Sequence, residues 1–332
     1  MNMKSNYKKR IGIRTDGNEI IGTGHVRRCH SIADTLLSRD FDCIFFVSDQ
    51  RSAKLIDNKK FKIITLDSKY NSLFGESKRL KVEIAENQIE LLILDTYFLT
   101  ENYLKGLSVY TKLAYIDDMG KPIFPYDMLI NYSIYADKFD YCKTHYEKTL
   151  FLLGCEYTPL RNDFRNIGKK TICEKVESIL VTSGGNDIYG IINKIKREVE
   201  KNNKFIDVDF FYADGKAKNM SYLMQKADIA ISAAGTTLYE LCACGTPMVY
   251  FSLADNQFDN AKGFSSIGVG IYTGDIRDNT EIKVSETLTQ VIKLMNSKIK
   301  REEISTKMQS IVDAEGTERI ADKIVDLLEN KD

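Results

Sequence analysis

The shape of the apolar runs constrains this chain most. They are short, barely alternate with polar residues, and are separated by segments of helical period. The runs at 11–15, 41–47, 61–66, 91–95, 113–116 and 128–131 all have this form. A strand covered on both faces gains nothing from alternation, so such runs predict parallel strands buried under helices. After the first run, Val26, Cys29, Ala33, Leu36 and Leu37 fall on one helical face. Strand–helix alternation then implies right-handed βαβ units and a doubly wound sheet.

A second series starts at 178–182. It is followed by Ser183-Gly184-Gly185-Asn186 and a helix presenting Ile188, Ile191, Ile192, Ile195 and Val199 on one face. Strands are expected at 208–213, 228–232, 248–251 and 269–273, with closing amphipathic helices near 287–295 and 317–328. The polar stretch 161–177, with Gly168 and five basic residues, reads as a linker. At ~150 residues per domain, 332 residues make about two domains. The expectation is an α/β chain of two Rossmann-like domains, 1–165 and 166–332, facing across a cleft. Ligands in such sheets bind beyond the carboxyl ends of the strands.

Composition narrows the function. Lys+Arg and Asp+Glu both number 47, so the net charge is zero. A nucleic-acid partner would need a cationic excess, and none is expected. The longest apolar runs, such as 89–94 and 248–253, fall far short of the ~18 residues of a spanning helix, so no membrane partner is expected. The basic N-terminus, MNMKSNYKKR, lacks the apolar segment of a secretory signal. Seven scattered cysteines suit reduced thiols and a cytoplasmic setting. Cys242 and Cys244, two apart on a helix, point to different faces and do not make a metal pair.

Five segments carry chemistry. The first runs from Arg14-Thr15-Asp16-Gly17 through Gly22-Thr23-Gly24-His25 to Arg28. Its glycines permit tight turning and close approach of a ligand to the main chain, but the spacing is not the dinucleotide GxGxxG. His25 opens a helix, where positive potential disfavours imidazolium. It is either a neutral general base or a residue that only hydrogen-bonds its loop. His30 and His145 read as surface or packing residues. The second segment is Gly235-Thr236-Thr237 with Glu240, ending at Gly245 and Pro247. Small residues at a helix start suit a diphosphate. Glu240 either accepts ribose hydroxyls or completes a capping box with Thr237. The third is Gly184-Gly185-Asn186, a second phosphate contact. The fourth is Asp255-Asn256-Gln257, which either fixes sugar hydroxyls or caps a helix. The fifth pairs Asp95-Thr96-Tyr97 with Tyr157 and Arg161, residues that either serve the ligand or pack as half-buried aromatics and a linker charge.

Taken together, these segments resemble a known family. The run SAAGTTLYELCACGTPMVYFSLADNQFDNA is similar to the nucleotide-binding part of GT-B enzymes related to MurG. IGTGHVRRC, LILDTY and LLGCEYTPLR resemble the PseG family of UDP-2,4-diacetamido-2,4,6-trideoxy-β-L-altropyranose hydrolases and their SpsG-type relatives. The resemblance implies a GT-B architecture and hydrolysis of a UDP-sugar at the anomeric C–O bond, with inversion, in pseudaminic acid biosynthesis. It implies His25 as the base activating water, and Tyr97 and Asn256 at the sugar. It assigns Gly184, Gly185, Gly235, Thr236, Thr237 and Glu240 to UDP. Arg14, Asp16, Gly22, Gly24, Arg28, Tyr157, Arg161, Asn186 and Gln257 are the further substrate-binding candidates, with Asp16 orienting His25 or the sugar by adjacency. A diphosphate leaves as a competent anion, so one base suffices and no second carboxylate is demanded. No cofactor or metal is expected. Partners are the UDP-sugar and UDP, and the chain is expected to be a monomer or weak oligomer. A GT-B glycosyltransferase and a non-catalytic UDP-sugar-binding protein are the competing readings.

Overall fold

Seven parallel strands form the first sheet: β1 (Arg10–Thr15), β2 (Asp42–Val47), β3 (Lys62–Thr65), β4 (Ile89–Asp95), β5 (Lys112–Ile116), β6 (Met128–Asn131) and β7 (Leu150–Leu153). Their order is β3-β2-β1-β4-β5-β6-β7. Helices α1 (Gly24–Ser38), α2 (Gln50–Ala53), α3 (Ser77–Glu86) and α4 (Glu101–Ser108) supply the crossovers among the first five strands. The second sheet has five parallel strands: β8 (Ser178–Thr182), β9 (Asp209–Ala213), β10 (Ile229–Ala233), β11 (Met248–Ser252) and β12 (Ile271–Asp275), in the order β12-β11-β10-β8-β9. Its helices are α5 (Ile191–Glu200), α6 (Met220–Lys226), α7 (Thr237–Cys244), α8 (Phe258–Ser266), α9 (Thr280–Met295) and α10 (Lys298–Ile311). The chain ends on α11 (Gly316–Glu329). This computed structural model describes residues 8–120, 126–141, 148–185, 187, 189–214, 217 and 219–329. His145, Asn186 and Ile188, singled out above, lie outside the described residues.

The strands are buried as their non-alternating composition requires. In β1 and β4, Ile11, Ile13, Leu91, Leu92, Ile93 and Leu94 are all fully buried. One side of the first sheet packs Phe46, Leu92 and Leu94 against Leu80, Leu104 and Leu107 of α3 and α4. Each such side chain contributes about 1.5–3 kcal/mol by leaving water. Each sheet also reverses strand order once, between β1 and β4 in the first and between β8 and β10 in the second. Beyond the carboxyl ends at such a reversal, the loops diverge and leave a crevice.

Two expectations need correction. The chain divides into one unit of Met1–Arg161 with Glu315–Asp332 and another of Asn162–Ala314. The closing helix α11 therefore belongs to the first unit, not to a domain 166–332. Its buried face carries Ile320, Ala321 and Ile324, and Arg39, just past the end of α1, pairs with Glu318 at 2.5 Å and with Asp322. Gly316 lies so close to residue 158 that an added Cβ would stand 2.2 Å from the Thr158 carbonyl oxygen. The stretch 161–177 is not a free linker either. Phe164 and Val176 are buried, Lys170 Nζ donates to the Ala227 carbonyl at 2.8 Å, and Arg301 donates to the carbonyls of Cys173 and Glu174 at 2.7 and 2.9 Å. β7 is the strand that precedes Tyr157, bounded only in the structure, and α10 falls where no helix was expected.

Candidate active site

Each unit carries expected site residues at its strand-order reversal. In the first unit, the loop after β1 leads into α1, which starts at Gly24 with no side-chain cap. Gly22 has φ +74°, a left-handed conformation that favours glycine, and an added Cβ at Gly24 would meet nothing within 4 Å. His25 follows and is 6% exposed. Its Nε2 lies 4.0 Å from Asp95 Oδ1, and its ring meets the Tyr97 ring edge-to-face at 4.7 Å. Burial pulls the imidazole below its ordinary pKa, and Asp95 pushes back without prevailing. His25 is thus neutral near pH 7, as expected, with burial rather than the helix terminus as the leading cause.

Arg28, one turn along α1, organises the floor. It grips Asp95 with two bonds, Nε to Oδ2 at 2.7 Å and Nη2 to Oδ1 at 2.5 Å. Its Nη1 donates to the Tyr132 hydroxyl at 2.9 Å and to Asp118 Oδ2 at 3.3 Å. Burial would push the Asp95 carboxyl up; Arg28 outweighs it and holds Asp95 below the usual carboxylate range. The Tyr97 hydroxyl donates to Asp118 Oδ2 at 3.1 Å. Burial, reinforced by Asp118, keeps that phenol protonated. His25, Arg28 and Tyr97 therefore meet, joined by Asp95, Asp118 and Tyr132. The adjacent pair Asp117-Asp118 reads in the sequence as a loop cap, which Asp117 supplies by accepting from the N–H groups of Met119 and Gly120, while the place of Asp118 and of Tyr132 in the site was missed. The available signal was an aspartate just beyond β5, on the same sheet edge as Asp95.

Other candidates from this half stand elsewhere. Arg14 is fully buried, with Nε and Nη2 on the Glu76 carboxylate at 2.6 and 2.9 Å and Nη1 on Asp16 at 2.6 Å. Asp16 also accepts from the Ser48 backbone N–H and hydroxyl, both at 2.8 Å. Arg14 and Asp16 thus brace the loop from beneath; neither is presented to a ligand, and neither bonds His25. Tyr157 and Arg161 follow β7, which lies four strand spacings from β1, about 19 Å.

In the second unit, residues after β8 and β10 converge. Gly184 has φ +80°, and a Cβ there would stand 3.2 Å from Thr237 Oγ1. Among the described residues, the buried Ser183 hydroxyl has no hydrogen-bond partner. Asn260 holds the Gly235 loop through the carbonyls of Ala234 and Gly235 at 2.9 and 3.2 Å, and is fixed by the Tyr239 hydroxyl at 2.7 Å. Helix α7 starts at Thr237 with Thr236 as N-cap and no side-chain cap bond, so the Thr237–Glu240 capping box does not form. At its other end Gly245, φ +65°, closes the helix. Asn256 is exposed on a 3-10 turn, and neither it nor Asp255 caps α8, whose N-cap is Gln257. Gln257 Oε1 accepts from the Leu253 N–H at 3.0 Å, and Asp255 pairs with Arg277 at 2.6 Å. Among the described residues, no cluster of three His, Cys, Asp or Glu is placed to hold a metal, and no helix is long and apolar enough to cross a membrane.

Two parallel α/β units with glycine-bearing loops at their strand reversals define the GT-B class, and comparison with solved structures agrees. Acinetobacter baumannii MurG superposes with a TM-score of 0.67 at 13% identity, covering 96% of this chain and 99% of that one. The Glycosyltransferase family 28 C-terminal domain matches residues 169–324. Within that class, the chain is a homologue of the SpsG and PseG-type proteins. It is 26% identical to the spore coat polysaccharide biosynthesis protein SpsG of Bacillus subtilis, over 97% of this chain and 99% of SpsG. It is also 26% identical, over 75% of its length, to the Helicobacter pylori protein named pseudaminic acid cytidylyltransferase and UDP-2,4-diacetamido-2,4,6-trideoxy-beta-L-altropyranose hydrolase. The match spans 45% of that protein, and 55% of an uncharacterised Methanocaldococcus jannaschii relative at 26% identity, so the chain spans about half the length of these two.

Proposed function

We propose that this protein hydrolyses a UDP-linked diacetamido-trideoxy sugar, releasing UDP and free 2,4-diacetamido-2,4,6-trideoxy-L-altrose. The observation that carries the reading is His25: buried, neutral, and set against Tyr97 beyond the β1 and β4 strand ends. A neutral imidazole in that position accepts a proton from water as the water oxygen bonds to the anomeric carbon. The bond from that carbon to the β-phosphate oxygen breaks on the opposite face, which inverts the centre. The electron pair leaves with UDP. Glu240 holds the ribose, and Gly184, Gly185, Gly235, Thr236 and Thr237 take the diphosphate. The uncapped start of α7 and the unpartnered Ser183 hydroxyl support that assignment. Tyr97 and Asn256 contact the sugar. The Helicobacter pylori relative, whose name carries this hydrolase activity, supports the choice of substrate.

The family 28 match favours a second reading, transfer of the sugar to an acceptor. Proton and phosphorus NMR of the protein with the UDP-sugar alone separates them. Hydrolysis predicts equal amounts of UDP and free sugar, first seen as the inverted anomer, and none with His25→Ala. Turnover only after an acceptor is added overturns hydrolysis in favour of transfer. Binding without turnover under either condition overturns both.

A further inference from the structure

Tyr97 is 43% exposed, yet its ring is set edge-on to His25. A half-exposed tyrosine just beyond a strand end keeps one orientation only if something tethers it. Among the described residues, the hydrogen-bond tether is one carboxylate oxygen, Asp118 Oδ2, 3.1 Å from the Tyr97 hydroxyl. Asp118 is itself fixed from three sides. Arg28, anchored on Asp95 and Tyr132, donates to the same oxygen. The Tyr135 hydroxyl donates to the Asp118 carbonyl at 3.4 Å. Next to it, Asp117 Oδ1 caps the turn by accepting from the N–H groups of Met119 and Gly120 at 2.8 and 3.2 Å. Among the described residues, the hydrogen-bonded path to the Tyr97 hydroxyl thus passes through one atom. Among the described residues, the charged groups that act on His25 are Asp95 at the end of β4, Arg28 on its own helix, Asp118 after β5 and Asp16 after β1; Tyr97 covers it as a neutral ring.

We propose that Asp118 is a positioning residue that acts through Tyr97, holding its ring against His25 so that the imidazole keeps one orientation. This rests on the reading of His25 as the base. Asp118 touches neither water nor sugar in this role. It fixes the wall against which the base stands, and small misplacements of a base are costly.

The test is a double-variant cycle of Asp118→Ala and Tyr97→Phe, with Asp118→Asn as the conservative replacement, read by turnover and by the NMR shifts of the His25 ring protons. Tyr97→Phe is expected to lower kcat about tenfold and Asp118→Ala at least as much, since the latter also removes a partner of Arg28, and the pair is expected to fall no further than Asp118→Ala alone, because the tether is already gone. The ring-current shift that Tyr97 imposes on His25 is expected to vanish in Asp118→Ala and Tyr97→Phe and to persist in Asp118→Asn, whose amide oxygen still accepts from the phenol. Losses that multiply to about a hundredfold overturn the proposal, as do unchanged His25 shifts in folded Asp118→Ala or an Asp118→Asn as impaired as the alanine variant. The NMR arm needs no substrate. If His25→Ala turns over normally, the base assignment fails while the shifts still decide whether the tether exists.

Discussion

Replacing Arg14 with methionine separates a bracing residue from a ligand residue. The substitution fills much of the side-chain volume but removes a guanidinium that makes three charge-assisted bonds to Glu76 and Asp16 at 2.6–2.9 Å. Glu76 is fully buried and, among the described residues, keeps the neutral hydroxyls of Tyr103 and Ser68 as partners. Removing one partner of a buried ion pair costs about 3–5 kcal/mol, because the other charge stays desolvated and uncompensated. With a urea m-value of ~2 kcal/mol/M, the midpoint of the first unit should fall by about 1.5–2.5 M. Hydrogen exchange read by mass spectrometry localises the effect. Peptides from β1, β4 and α11 should exchange faster, while those from β8, β10 and β11 should not change. The double variant Arg14→Met/Glu76→Leu should recover only part of the loss: it removes the buried Glu76 charge but leaves the buried Asp16 carboxylate with the Ser48 N–H and hydroxyl in place of a cation. A loss under about 1 kcal/mol together with a raised KM would refute this reasoning and return Arg14 to the substrate-binding role its place beside the glycine loop first implied.

Three further outcomes are expected. Because burial holds the folded pKa of His25 below 6.5, the acid limb of kcat/KM should be centred below 6.5; a limb centred at or above 6.5 contradicts a buried neutral base. The same shift makes stability decline as pH falls from 6.5 through the folded value, since there the unfolded chain binds the extra proton. Glu240→Ala should weaken UDP binding in a calorimetric titration of the folded variant, and no capping box is lost with it. Stability loss with unchanged UDP affinity would reverse that assignment. Gly316→Ala should lower Tm by at least about 5 °C, because its Cβ would press on the Thr158 backbone, and an unchanged melt would refute that contact.

Residues legible in the sequence were those whose neighbours lie close along the chain. The runs 128–131 and 178–182 coincide with β6 and β8 because each is a continuous buried strand. The four residues of β7 sit beyond a polar, tyrosine-rich segment and offered no contrast. Helix α10 was missed because one of its buried positions is Arg301, satisfied by carbonyls of Leu294, Met295, Cys173 and Glu174. Hydrophobic periodicity does not register a charge used as core. For α11, the apolar stripe shows that a face is buried but not against what, and its partner Arg39 is 279 residues away from Glu318. The site divides likewise. His25, Arg28 and Tyr97 stood out in motifs. Glu76, which claims Arg14 from 62 residues away, and Asp118, 90 residues from Arg28, become partners only through the sheet.

The placement of α11 also sets a timetable. Residues 162–314 form an uninterrupted insertion within the first unit, whose last element follows them. During synthesis the inserted unit has every residue it needs before α11 exists. At about 5–20 residues per second, α1 then waits roughly fifteen to sixty seconds for the helix that covers it. The part of the chain made first is the last to be completed, and its exposed apolar face is where a chaperone or a protease would meet the nascent protein.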